Sequence, residues 1–469
     1  EEPSYYENLA KALVEQEKFL DAIELLNDAI QRFPTNAGIW NSLGVVAQAR
    51  QQLGEARVFY REAIRHDDKD YRFWSNLAAI EEDRNTVLAF SRNALELNPD
   101  CHETHLLLAN LHFRQGFVAA AWDHWEHRLA PSRAQGQNTS FRFDLPSWQG
   151  EPLSEKTIMV SGEQGIGDEV FFCKSLRHIY AMAKQLIILA EPRLVTILKR
   201  TFPDAMVKPY DTESIHGYSY RGCTEIENLI EKNDIKIDYF SPIASTWPHT
   251  WGPRRFDIPT DDVGYLVADP QLVEKWKSRL KKHGGRLNIG VSWESQNKAA
   301  DRIGGYTNVL FWRDIARLDG VNLVCLQYGD VSDDLSQFAA EVGVEILAWK
   351  DTNLKQDIEA NLAIMSNMDL VVGPATATQM FSLALGVKTL LLARGRPWWS
   401  FGTTLDEKQL YYAPNLTWID NQIHQFDYGT KERETYNFWQ DAAKQVRSFV
   451  IEKLKESVTE ALPVAGDSL

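Results

Sequence analysis

The run Val160-Ser-Gly-Glu-Gln-Gly-Ile-Gly-Asp168 follows the apolar stretch Thr157-Ile-Met-Val160 and puts Gly165 and Gly167 immediately before an aspartate. An apolar strand that enters a glycine-rich turn and then a helix is the way nucleotide-handling α/β domains begin. Gly165 and Gly167, with Gln164 beside them, let the backbone turn tightly and approach a ligand closely. Asp168 falls where the following helix starts, next to backbone N–H groups that lack helical partners. A carboxylate in that position can act on a bound substrate. The spacing is Gly-x-Gly-Asp and not the dinucleotide fingerprint Gly-x-Gly-x-x-Gly, which turns the reading away from nicotinamide and flavin chemistry. The same residues would also make a plain strand-to-helix turn with Asp168 as a helix cap.

The elements that must position this turn follow from length and composition. The chain has 469 residues, 44% hydrophobic and 25% charged, enough for about three ordinary domains. A net charge of −15 and a pI near 5.3 argue against a nucleic-acid partner, because such proteins carry a basic face. Cys101, Cys173, Cys223 and Cys325 are scattered, without metal-finger or Cys-x-x-Cys spacing, and read as reduced thiols. No apolar run is long enough for a transmembrane segment, and the chain opens on Glu1-Glu2, so the expectation is a cytoplasmic protein with no metal or organic cofactor.

A period of about 34 residues organises the N-terminal part. Tyr6, Leu9, Ala10, Leu13, Ala22, Leu26, Ala29 and Pro34 recur as Trp40, Leu43, Gly44, Ala47, Ala56, Tyr60 and Ala63, with Asp68 in the proline slot. A third unit starts at Trp74, Leu77 and Ala78 and closes with Ala94 and Pro99, its inter-helix turn about three residues short. A fourth uses His105, Leu108, Ala109, Ala121 and Trp125. These are tetratricopeptide (TPR) positions: small residues let antiparallel helices approach, large ones fill the gap, and proline ends the second helix. Four such units stack into a short solenoid able to hold an extended peptide or another protein. His124 and His127 lack acidic or sulfur partners at ligand spacing, and helix packing accounts for the neighbouring tryptophans.

A polar, proline-bearing connector is expected over 131–155. After it, strands at Thr157–Val160, Gln185–Ala190 and near Val207 alternate with helices, while 211–260, with Trp247 and Trp251, reads as loops facing a cleft. The alternation restarts with Leu287–Trp293 and continues through Val321–Tyr328, Val344–Leu347, Asp369–Val372 and Thr389–Ala393. The expected layout is therefore α plus α/β: repeats over 1–130, a first Rossmann-like lobe over 156–270, a second over 271–455, and a tail over 456–469. Two such lobes form a cleft at the carboxyl ends of their strands, the layout of a GT-B nucleotide-sugar transferase.

The segment Trp148-Gln-Gly-Glu-Pro-Leu, the run from Val160 to Asp168, Ile289-Gly-Val-Ser-Trp293, Asp357-Ile-Glu-Ala and Met368-Asp-Leu-Val-Val-Gly-Pro-Ala-Thr-Ala-Thr-Gln-Met-Phe-Ser-Leu-Ala-Leu-Gly386 occur in one order. In that order and spacing the chain resembles bacterial TPR proteins carrying a heptosyltransferase-like, glycosyltransferase family 9-like domain. The resemblance implies a glycosyltransferase (hexosyl-, heptosyl- or N-acetylhexosaminyl-) that moves a sugar from a nucleotide-sugar donor to a protein, peptide or glycan acceptor, independently of metal. Inversion of the anomeric centre is the expected outcome. It implies Asp168 as the general base and the second lobe as the holder of the nucleotide sugar. There, Thr376, Ala377 and Thr378 start a helix able to cradle a diphosphate, and Trp293, Glu294 and Ser295 leave a strand end toward the cleft. Lys298, Arg302, Arg394 and Arg396 are candidates to neutralise phosphate, Arg394 and Arg396 favoured over Lys298, with Trp398 or Trp399 against base or sugar. Family members commonly carry Asp-Thr-x-x-x-His in this region. This chain has Ala375-Thr376 and Met380 there, so the histidine grip is lost unless Gln379 substitutes. The alternative is a repeat scaffold with an inactive or ligand-sensing GT-B module.

Overall fold

A computed structural model describes residues 2–115, 117–130, 139–251, 263–295, 305–393, 409–410, 413–420 and 431–461. The chain divides into two compact units, Glu1–Ala134 and Gln135–Leu469.

The first unit is four antiparallel helix pairs: Pro3–Glu15 with Phe19–Arg32, Ala37–Ala49 with Leu53–His66, Tyr71–Ile80 with Arg84–Leu97, and His102–Gln115 with Val118–Trp125. The glycine–tyrosine alternation works as expected, since a Cβ on Gly44 would lie 2.3 Å from the Tyr60 ring, whose hydroxyl donates to Gln48 at 2.6 Å. The third pair begins with a ten-residue helix, and Asp83 caps its second helix by accepting from the Thr86 N–H, which accounts for the short period there. One bond repeats along the array. The indole N–H of Trp40 donates to the Pro34 carbonyl and that of Trp74 to the Asp68 carbonyl, both at 2.9 Å. In the fourth repeat the His105 ring occupies the tryptophan slot, with Nε2 2.8 Å from the Pro99 carbonyl.

That bond belongs to a histidine cluster. His105 Nε2 donates to the carbonyl, and its Nδ1 lies 2.7 Å from His124 Nδ1. His127 stacks on His105 with centroids 3.4 Å apart, and His112 lies 5.3 Å from His124. Burial first, then the neighbouring His105, His112 and His127, lowers the His124 pKa to about 4. No group of three or more metal-ligating side chains among the described residues is arranged to hold an ion.

In the second unit, β1 (Thr139–Phe141) pairs with β6 (Tyr218–Gly222), which forms a hairpin with β5 (Asp211–Ile215). The stretch expected as connector is thus engaged with the first lobe from Thr139 onward, and Trp148 is buried with its backbone N–H on the Phe240 carbonyl. The lobe's parallel sheet has the order β4-β3-β2-β7, with β2 at Thr157–Ser161, β3 at Gln185–Ala190, β4 at Met206–Pro209 and β7 at Tyr239–Pro242. The β2 and β3 apolar runs are almost wholly buried, as parallel strands covered on both faces must be.

The second lobe is a six-stranded sheet of order β12-β13-β11-β10-β8-β9. Here β8 is Leu287–Val291, β9 Val321–Cys325, β10 Leu370–Pro374, β11 Thr389–Ala393, β12 Gln409–Leu410 and β13 Ala413–Asp420. Only the short β12 is antiparallel. Val344–Leu347 contributes one bridge, Val324 to Leu347, and no strand. The helix Lys431–Ala461 closes the core through Ala442, Val446 and Val450. This is a repeat solenoid followed by a GT-B fold of two Rossmann-like lobes.

The region 211–260 departs from the loop reading. It supplies a hairpin, the helix Thr224–Glu231 and the edge strand β7, and it buries Trp247 and Trp251 at 1% and 2% exposure. Every residue of β5 is exposed and β6 is mostly half-buried, so neither strand offers the apolar run by which a strand is read from sequence. No helix of the described residues is long and apolar enough to cross a membrane.

Acid should loosen the fourth repeat. The folded pKa of His124 lies below the ordinary 6.5, so its contribution is present above pH 6.5 and is lost as pH falls from 6.5 toward 4. Thermal unfolding followed by circular dichroism should show a lower melting temperature at pH 5 than at pH 7. In His124→Asn that difference should shrink.

Candidate functional site

Strand order locates the site before any side chain is considered. In the first lobe the chain moves from β2 outward to β3 and β4, then returns to the other side of β2 as β7, so the order reverses between β2 and β7. In the second it reverses between β8 and β10. Ligands of open α/β sheets bind at the carboxyl ends of strands at such reversals. Residues 162–168 leave β2 at the first, and Ser292–Ser295 and Ala375–Thr378 leave β8 and β10 at the second.

The two reversals meet. A Cβ on Gly167 would lie 3.1 Å from Ala377 Cα and 3.5 Å from Ala377 N. Gly167 is the second residue of the helix Ile166–Phe172, and Ala377 is the first of Ala377–Ala384. Asp168, partly buried, is therefore one residue away from a contact with the start of the opposite helix. Neither Gly165 nor Gly167 has a positive φ. The need for glycine at 167 is close approach of the other lobe, while Gly165 is exposed and has room for a side chain.

Beneath the turn lies a polar layer that pattern reading missed. Glu169 is 2% exposed and accepts from the Glu191 N–H at 2.8 Å and the Tyr210 hydroxyl at 3.3 Å. Burial dominates its titration and pushes the carboxyl up to about 7, against the Glu191 N–H bond and the Arg221 charge. A Cβ on Gly162 would meet this carboxylate at 2.1 Å. Arg221 lies over the Tyr210 ring at 4.2 Å and donates to the Gln164 carbonyl at 3.0 Å, and the buried Glu163 accepts from the Ala244 N–H at 2.9 Å. Glu169 was legible as a second carboxylate in the motif. Arg221 carried no signal in a stretch read as loop.

In the second lobe the helix start is firmly held. The Thr376 hydroxyl donates to the Gln379 amide oxygen at 2.7 Å, and the Gln379 amide nitrogen donates to Ser292 at 3.0 Å. Gln379 is fully enclosed, so its amide is committed to this bridge and does not stand in for a histidine reaching the cleft. Thr376 likewise spends its hydroxyl hydrogen internally, and Thr378 is 2% exposed. What remains for a ligand is backbone: the N–H groups of Ala377 and Thr378 have no place in the helical ladder.

Trp293 does not face the cleft. Its indole N–H donates to Asp334 at 2.9 Å and its ring joins the core cluster of Leu287, Ile289 and Val291, the same-face partners that a period of two demands. The Trp293 and Glu294 N–H groups both donate to the Gln327 side chain, at 3.0 and 3.1 Å, and Ser295 bonds Tyr328 at 2.9 Å. Glu294 and Ser295 are partly buried at the strand end. Lys298, Arg302, Arg394, Arg396, Trp398 and Trp399 lie outside the described residues.

The titration of Glu169 gives a stability test with a fixed sign. A carboxyl whose folded pKa is raised contributes most below pH 4.5 and loses that contribution as pH rises through about 7. The melting temperature of Glu169→Gln relative to wild type should therefore rise between pH 5 and pH 8, corresponding to up to about 3 kcal/mol. A difference independent of pH would contradict a buried, titrating Glu169.

Comparison with known proteins gives the following. Residues 8–86 match the tetratricopeptide repeat family. Protein FlbA of Caulobacter vibrioides is 30% identical over 407 residues, 84% of this chain and 66% of FlbA. The chain thus spans about two thirds of that relative's length. Among solved structures, a glycosyl transferase of family 9 from Veillonella parvula is 12% identical, with 65% of this chain and all of that one covered and a TM-score of 0.43. YrrB, a TPR protein described as having an unusual peptide-binding site, is 18% identical over 26% of this chain and 64% of its own, with a TM-score of 0.23. The four helix pairs of the first unit carry the tetratricopeptide repeat matched over residues 8–86, and the second unit, with its two parallel-stranded α/β lobes, has the GT-B fold.

Proposed function

We propose that the GT-B unit transfers a sugar from a nucleotide-activated donor to an acceptor hydroxyl, with Asp168 as general base. The observation that supports this reading is the meeting of the two strand-order reversals at Gly167 and Ala377, with Asp168 the next residue after Gly167 and Ala377 the first of an eight-residue helix from the other lobe. In the reaction, Asp168 takes the acceptor proton, the acceptor oxygen bonds to the anomeric carbon, and the bond from that carbon to the diphosphate breaks. Charge gathers on the departing diphosphate, and the Ala377 and Thr378 N–H groups with the helix dipole stabilise it. Direct displacement of this kind inverts the anomeric centre and needs no metal ion. Arg394, Arg396 and Trp399 complete the proposed donor site. The repeat unit is the natural recruiter of a protein or peptide acceptor, since stacked helix pairs offer a long surface for an extended segment. A cytoplasmic setting suits four cysteines that are all free and buried.

One observation favours a second reading. The Thr376 and Gln379 side chains bond each other and Ser292, so the segment where members of the family it resembles commonly carry a histidine holds an internal bridge and the 7% exposed Met380. In that reading the GT-B unit is an inactive or ligand-sensing module on a repeat scaffold. Calorimetric titration with UDP, GDP and ADP singles out an inactive scaffold, which binds none of them, and a ligand-sensing module that binds one is told from a transferase by the absence of sugar turnover.

For the transfer reading, Asp168→Asn should lower turnover by about 10²- to 10⁴-fold while nucleoside diphosphate affinity stays within roughly three-fold. Turnover retained in the variant would remove Asp168 from the role of base.

A further inference from the structure

Between the two lobes the chain passes through 263–268, and this strap is bonded to both. The backbone N–H groups of Tyr265 and Leu266 donate to the carbonyl of Ala384, the last residue of the helix Ala377–Ala384, at 2.6 and 2.9 Å. The Tyr265 hydroxyl donates to the Phe171 carbonyl at 3.3 Å, in the last turn of the helix Ile166–Phe172. Those are the two helices whose other ends touch at Gly167 and Ala377. They run side by side in the same direction, fastened at one end by small residues and at the other by a single tyrosine.

The strap has little freedom on its inner side. Gly264 and Gly386 adopt left-handed φ values of +72° and +79° and face each other, and a Cβ on Gly264 would lie 3.1 Å from Gly386 N and from the Leu385 carbonyl. Backbone opposes backbone there, so no side chain can move aside to relieve the crowding. From the first lobe, Arg177 donates to the Gly264 carbonyl at 3.2 Å, and Arg200 donates to the Val267 carbonyl at 3.0 Å while pairing with Glu359 of the second lobe at 2.6 Å. The outer side borders an open cleft of about 420 Å³ between Tyr180, Phe202, Val263 and Leu385. The strap is therefore held from within.

We propose that Tyr265 is a positioning residue: it couples the two site helices so that Asp168 and the Ala377 N–H address the same substrate. The proposal rests on the transfer reading for its purpose, but the coupling itself is a property of the fold. Tyr265 is 5% exposed and its ring would persist in Tyr265→Phe, which removes only the hydroxyl bond to Phe171. Gly264→Ala strains the same strap through backbone crowding.

The test uses the full-length chain, wild type and both variants, with hydrogen–deuterium exchange over 166–172 and 377–386. Release of nucleoside diphosphate from UDP-glucose, UDP-N-acetylglucosamine and GDP-mannose is measured in parallel. In Tyr265→Phe, exchange in both helices should quicken by about three-fold or more, the scale of one lost hydrogen bond, with Gly264→Ala larger in the same direction. For the donor that wild type uses, kcat should fall with the exchange shift while KM changes by less than about two-fold. Exchange unchanged in both helices would overturn the coupling. Faster exchange with unchanged kcat would overturn the positioning role. Absence of release in wild type, together with no binding of UDP, GDP or ADP, would overturn the transfer reading and with it the catalytic purpose of the strap, while the exchange result would still decide whether Tyr265 couples the helices.

Discussion

The contact between Gly167 and Ala377 is the constraint on which the rest of the GT-B unit depends. It requires a residue without a side chain on one helix and a minimal one on the other, and it brings together helix starts from two separately wound sheets. Everything around it works to hold that approach. Glu169 packs under Gly162, Gln379 ties Thr376 to Ser292, and Arg200 and Arg193 reach across to Glu359 and the Lys355 carbonyl. Larger side chains at the contact would push the two helix starts apart.

The division of labour between the units follows from how each buries its surface. The repeats gain stability from neighbour to neighbour, through small residues such as Gly44 against Tyr60 and through a ring N–H that caps a carbonyl of the preceding turn. The lobes gain theirs from apolar strands covered on both faces, leaving the carboxyl ends of β2, β8 and β10 for polar work. The histidine cluster of the fourth repeat shows the same economy: His105 keeps the tryptophan bond and sets its other ring nitrogen against His124.

Much of this was legible in the chain because it rests on local pattern. The 34-residue period, the glycine turn and the apolar strands β2, β3, β8, β10 and β11 are short-range signals, and each corresponds to an element. What escaped depends on long-range partners. The hairpin β5–β6 and the edge strand β7 have mixed polarity and acquire their identity only by pairing with β1 and β2. Gln379 looked like a ligand group because its enclosure by Ser292 and Thr376, one of them 87 residues away, has no local trace. Trp293 is the instructive case: the period of two through Leu287, Ile289 and Val291 already assigned it to the core, and the strand-end position outweighed that signal.

The most direct test of the account is a crystal structure of the chain with a nucleoside diphosphate bound. The account predicts diphosphate density against the N–H groups of Ala377 and Thr378, with the Asp168 carboxylate facing the side from which an acceptor would enter. Diphosphate held elsewhere in the unit, or an Asp168 side chain directed away from the bound nucleotide, would contradict it.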